Sequence, residues 1–223
     1  MPTSRTPFNR GLHSSLLKVP RGSREIPLWI KVAFTSWILT WTPTYFIYFG
    51  VENFLWICDF ANWVVLAGLW ANSSLLLSSQ LLAVLVIGVF WLLDVIVALL
   101  TGTHLIGGTE YMFDGSIPLP VRFLSIFHIV LPSLLLWLVF RIGYDRRAIF
   151  LQAAIFSVLL PISFLATSPG LAINWVFGPF GSQQTLIPPP GYLLLCMLLY
   201  PVILCLPVHM LFVHSSRKKK IRL

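Results

Sequence analysis

Three ionisable residues stand inside long apolar runs of this chain: Asp59, Asp94 and His128. A charged side chain at the centre of a membrane helix costs roughly 2.5 to 3.5 kcal/mol on insertion scales, so it faces protein and by default marks a site. Two carboxylates at one level raise one pKa, and an imidazole beside them keeps the other ionised; that is the chemistry of proton transfer or of cation binding. Asp59, Asp94 and His128 are also a donor set that zinc or manganese accepts. No HExxH motif or histidine cluster accompanies them, so metal and cofactor both stay unassigned. The plainer reading of the same three is a buried Asp–His–Asp clamp joining three helices.

Their neighbours extend the pattern. Asn62 follows Asp59 by three residues and Ser125 precedes His128 by three, which puts each pair on one helix face. Cys58 shares the level and could act as a thiolate beside His128. Adjacent helical residues point about 100° apart, so with Asp59 facing inward Cys58 falls on the flank, where a packing cysteine belongs. Ser125 is a second candidate nucleophile, although no GxSxG turn surrounds it. No Walker loop or dinucleotide fingerprint occurs.

The elements that must position these residues follow from composition. Of 223 residues, 57% are hydrophobic and 10% charged, with a mean hydropathy of +0.87, against about 25% charged in an average soluble domain. Soluble enzymes, disordered tails and disulfide scaffolds are excluded, and the solvent for most of the chain is lipid. The expected fold is an all-α, polytopic transmembrane helical bundle with six spans: residues 28–48, 54–71, 75–100, 121–140, 148–167 and 192–213. A basic cytosolic leader (1–27) precedes this domain (28–213), and a basic tail (214–223) follows it.

Charge placement orients the bundle. Fourteen of the fifteen Lys and Arg residues fall at the N-terminus, in the segment from Arg141 to Arg147, or in the tail, and only Arg122 lies elsewhere. The positive-inside rule puts both termini in the cytoplasm. Basic residues that flank apolar runs meet anionic headgroups, which argues against a nucleic-acid partner despite the net charge of +8. In this orientation Asp59, Asp94 and His128 all lie roughly 8 to 11 Å below the outer boundary. The two long outer connections, 101–120 and 168–191, are rich in Gly, Pro and aromatic residues. They are expected to fold back as a lid, with Glu110 and Asn174 as its polar contacts. Three cysteines without CxxC spacing indicate no disulfide framework.

The segments Tyr48-Phe49-Gly50, Asn53-Phe54-Leu55-Trp56, Cys58-Asp59, Tyr111-Met112-Phe113-Asp114, Gly143-Tyr144-Asp145-Arg146-Arg147 and Asn174-Trp175-Val176-Phe177-Gly178 resemble those of a family of uncharacterised bacterial multi-spanning membrane proteins. That resemblance implies a bacterial inner-membrane location. More remotely, a cysteine near the start of a helix, a later intramembrane histidine and an Asn-aromatic loop are similar to the YwaF-like integral membrane group. The similarity implies acyl transfer between lipids, with Cys58, His128 and Asn174 as counterparts. The chain departs from that group in its six visible spans and in lacking a histidine two residues before Cys58. Two classes of function remain: an enzyme acting on lipid or another hydrophobic substrate in the outer leaflet, and a non-catalytic transporter or binding protein for protons, cations or a small ligand.

The topology has a direct test. Single cysteines introduced at Gly108 and at Ser216 should react with a membrane-impermeant reagent from opposite sides, and labelling of both from one side would refute it.

Overall fold

In hydrocarbon each backbone N–H and C=O must find its partner within the protein, and a helix does this within a single segment. The computed structural model describes residues 25–221, with side chains to His214, and every regular element among them is helical. The leader through Arg24 and the tail side chains from Ser215 lie outside the described residues. In chain order the helices are α1 (Leu28–Phe49), α2 (Ile57–Trp70), α3 (Ser74–Thr101), α4 (Leu119–Leu124), α5 (Phe127–Ile142), α6 (Ala148–Ala166), α7 (Pro189–Tyr200) and α8 (Leu206–Ile221).

Four helical stretches are both long and apolar enough to cross a membrane: Ser74–Thr101, Leu119–Ile142, Ala148–Ala166 and Pro189–His214. The other two expected spans differ for physical reasons. At 22 residues, α1 rises about 33 Å and is long enough, but Lys31, Pro43 and a run of Thr, Trp and Tyr dilute its hydropathy. With 14 residues, α2 rises about 21 Å, short of the roughly 30 Å hydrocarbon core. A tight turn, Val51–Leu55, takes the chain residues that the expected second span assigned to its outer end.

The axis of the bundle is α3, which packs against α2, α5, α6 and the last helical stretch. It begins where the Ser73 hydroxyl accepts the Leu76 N–H, and it ends at Gly102 in the left-handed conformation. Its burial is nearly all-round over Leu77–Val84. Within that run, Gln80 donates to Gln152 of α6 across 3.1 Å and to Ser79 across 3.0 Å. Higher up, a side chain at Gly88 would collide with the His128 carbonyl and with Pro132. Pro132 has no N–H for that carbonyl, so glycine lets α3 come against the one α5 carbonyl that the helix itself leaves free.

Proline also shapes the other helices. Pro43 and Pro161 lie inside α1 and α6, and nearby hydroxyls bond back to the backbone, Thr44 to Thr40 and Ser163 to Leu159. Pro201 opens a π-turn, Pro201–Cys205, that joins α7 to α8. The expected fourth span is present as Leu119–Ile142, with a local tightening at Ser125 and Ile126, both still right-handed helical, between α4 and α5.

At the end carrying most of the basic residues, Ser78 accepts the Asp145 N–H, the Asp145 carboxylate accepts from Arg147 at 2.8 Å, and Tyr144 meets His209 Nδ1 at 2.6 Å. The Arg147 hydrogen bond holds the Asp145 carboxyl below its ordinary value. That contribution is present above the ordinary carboxylate pKa and is lost as pH falls through the depressed one. With Arg147 largely exposed, solvent screens the pair and its contribution to stability is small.

The Gln80–Gln152 pair gives a cleaner measurement. Replacing either glutamine by leucine should cost about 1 to 3 kcal/mol through the unpaired amide left behind, while the double replacement should cost less than the sum. Unfolding in detergent, followed for both single variants and the double, checks this.

Candidate functional site

The ends of α1, α2, α3 and α5 furthest from the Arg141–Arg147 segment carry two polar networks. The first surrounds Asp94. Its Oδ1 accepts the backbone N–H groups of Ile106, at 2.6 Å, and Gly107, at 3.2 Å. Its Oδ2 accepts the Thr109 hydroxyl and meets His104 Nδ1 at 3.0 Å. His104 also lies 2.9 Å from Thr109. Both carboxylate oxygens are therefore spent on the connection from α3 to α4, which Asp94 folds around itself. Charge-assisted bonds of this kind are stronger than neutral ones, and they account for a carboxylate that is 1% exposed.

The second network joins α1, α2, α3, the turn between α4 and α5, and Tyr111 of the same connection. Ser125 Oγ lies 2.6 Å from the Tyr45 hydroxyl, and the Tyr111 hydroxyl stands near Ser125. The Trp91 indole donates to Tyr111 at 3.1 Å. Burial pushes the Tyr111 hydroxyl above its ordinary value, so it stays protonated. Asp59 is buried and accepts one hydrogen bond, from Asn53 Nδ2 at 2.6 Å. Tyr45 and Tyr111 both stand within electrostatic reach of it. The fully buried Trp41 indole points to the Tyr45 hydroxyl without closing a hydrogen bond of normal geometry, so its N–H has no partner.

His128 borders this network. Its ring lies between Trp91, stacked at 4.8 Å, and Phe127 at 4.1 Å. Its Nδ1 meets the Ser125 backbone carbonyl at 2.9 Å. A carbonyl can only accept, so Nδ1 carries the proton and Nε2 holds the basic lone pair.

Several sequence expectations need correction on this geometry. Asp59, Asp94 and His128 make no hydrogen bonds with one another, and among the described residues no group of three His, Cys, Asp or Glu is placed to hold a metal. Thus neither the three-residue metal set nor the Asp–His–Asp clamp forms: Asp94 is captured by its own loop. Ser125 faces Tyr45, and only its backbone carbonyl meets His128. No hydrogen bond joins buried Cys58 to His128 among the described residues. Asn62, fully buried, spends its Oδ1 on the Trp37 indole at 3.3 Å and its Nδ2 on the Cys58 carbonyl at 3.1 Å.

The expected lid contacts also resolve differently. Glu110 accepts the Gly108 N–H within its own loop at 2.7 Å. Asn174 is buried, with its Oδ1 accepting the Ile57 N–H at 2.9 Å and its Nδ2 donating to the Leu55 carbonyl at 2.7 Å and to Ser163 at 2.9 Å. Its own carbonyl accepts from Tyr200 at 2.6 Å. It therefore caps the start of α2 from a loop 117 residues away, with φ at +50°, a conformation asparagine tolerates.

Sequence reasoning missed Tyr45, Asn53, Trp91, His104, Thr109 and Tyr111. A search confined to charged residues within apolar runs passes over hydroxyls and indoles. The one available signal was spacing: Trp91 precedes Asp94 by three residues, on the same helix face.

If Asp94 is a loop anchor, Asp94→Asn should destabilise the protein by about 1.5 to 3 kcal/mol for each charge-assisted bond lost. It should also speed proteolytic cleavage between Gly102 and Ser116, while Asp59-dependent behaviour stays intact. Cleavage rates and melting temperature of the purified variant check this. Comparison with protein-family models, with curated proteins and with solved structures finds no match, so function must be argued from the geometry alone.

Proposed function

We propose that the chain is a multi-pass integral membrane protein whose Asp59 network binds the polar head of a small hydrophobic ligand without transforming it. The observation carrying this reading is the pair of under-used polar groups in one buried place: the Trp41 N–H, which has no acceptor, and the Asp59 carboxylate, which accepts a single bond. A buried polar group without a partner costs about 1 to 3 kcal/mol. A hydroxyl head that accepts from Trp41 and donates to Asp59 would remove both deficits at once. Tyr45, Ser125 and Tyr111 would orient the head, and the wall formed by Trp41, Phe54, Trp63 and Phe127 would take the apolar body. In this reading the termini are cytoplasmic, the membrane is the bacterial inner membrane, and the network faces the outer leaflet.

A second reading, acyl transfer or hydrolysis on a lipid as in the YwaF-like group, has one supporting observation. His128 carries its proton on Nδ1, which leaves Nε2 as a base. That reading then needs Cys58 or Ser125 to reach Nε2, whereas Ser125 Oγ is engaged by Tyr45 and Cys58 is buried without a hydrogen bond to His128.

The two are separated by one set of variants. Thermal shifts of the purified protein, measured with a panel of long-chain alcohols and amines, should identify a stabilising ligand. Asp59→Asn should weaken it by at least about tenfold, or about 1.4 kcal/mol. Cys58→Ser should leave binding unchanged. Release or transfer of acyl chains from a fluorescent phospholipid, abolished by Cys58→Ser and by His128→Gln, would favour the enzyme instead.

A further inference from the structure

A groove of about 400 Å3 runs between α1 and the α4–α5 pair, and Asn62 of α2 reaches its lining. Its walls are aromatic and aliphatic, with Trp29, Phe34 and Trp37 on one side and Phe123, Phe127 and Leu134 on the other. The one polar side chain that is not an indole is Asn62, and both ends of its amide are already bonded to protein. Nothing on the groove floor therefore calls for a polar ligand.

The α5 wall continues beyond the groove. Val130 and Leu134 line it, and Trp137 and Arg141 follow at helical spacings of three and four, on the same stripe of α5. Val130 and Trp137 are both exposed on this face. The Arg141 guanidinium lies 5.4 Å from the Trp137 ring centre, a cation–π arrangement that holds it over the stripe. Among the described residues no carboxylate is within ion-pair distance of it. The nearest acid in the chain, Asp145, is taken by Arg147. Lys31, at the neighbouring end of α1, is turned over Trp70 on the opposite side.

We propose that the groove and Arg141 together hold one anionic phospholipid, its phosphate on the Arg141 guanidinium and an acyl chain lying along Leu134, Val130 and Phe127. The planar guanidinium matches two phosphate oxygens at once. From Arg141 to Phe127 the helix rises about 21 Å, the reach of a long acyl chain. The site lies toward the basic end of the bundle and meets the surroundings of the Asp59 network only at Phe127.

Native mass spectrometry of the full chain, released from detergent after incubation with dioleoyl phosphatidylglycerol or dioleoyl phosphatidylcholine, tests the proposal. The wild type should retain the anionic lipid about fivefold better, the preference of one basic residue near a membrane surface. Arg141→Gln should bring the two lipids level. Ala33→Trp, at an exposed wall position where folding tolerates bulk, should reduce retention of both. Arg147→Gln should leave the preference intact. Equal retention by the wild type, a preference surviving Arg141→Gln, retention untouched by Ala33→Trp, or a preference lost equally in Arg147→Gln would each overturn it.

Discussion

Hydrocarbon offers no hydrogen bonds, and the architecture is a set of answers to that single constraint. Where the chain stays helical the answer is local. Where it leaves the helix, a buried side chain must supply the missing partners. Asn174 does so at the junction before α2, matching a carbonyl and an N–H that the turn at residues 55–57 leaves open. Asp94 does so for the connection after α3, collecting two backbone N–H groups and two side chains onto one carboxylate. Gly88 answers by close approach, bringing α3 against a carbonyl freed by proline. Removing Asn174 or Asp94 leaves buried backbone groups unmatched, at a cost of several kcal/mol each where water is absent.

The same constraint separates what was legible in the sequence from what was not. Long apolar runs in α3, α5, α6 and the last helical stretch read plainly, because length and hydropathy are summed over many residues and survive errors of two or three at either end. The run leading into α2 misled because residues 54–56 are as apolar as their neighbours. Only the tight turn before Ile57, and an asparagine more than a hundred positions away, show that the helix begins later. Direction around a helix was less legible. Asp94 and Asp59 can share a level and still face different partners, since the loop that captures Asp94 is adjacent in sequence and folds first onto what is nearest.

Polar residues in this protein thus divide by how fully they are used. Asp94 and Asn174 have most of their bonding capacity matched by protein, which is the mark of a structural part. The Asp59 network is different. It gathers side chains from α1, α2 and α3, from Ser125 between α4 and α5, and from Asn53 and Tyr111 in two connections, includes an indole N–H with no acceptor, and leaves most of a carboxylate's four acceptor positions open. Unmatched capacity at that depth either weakens the fold or serves a ligand.

The aromatic residues connect this network to the remainder of the fold. Trp41 has Trp37, Tyr45, Phe54, Trp63 and Phe127 around it, and Phe127 also stacks on His128. Rings in contact cannot rotate independently in a close-packed interior. A head group that draws the Trp41 indole or the Tyr45 hydroxyl toward Asp59 must therefore also shift Phe127. Phe127 forms part of the groove between α1 and α5, so under the proposed readings occupancy of the polar network and of the apolar groove would be linked through one side chain. Such a link has to act both ways, because the free energy coupling two bound states is the same from either side.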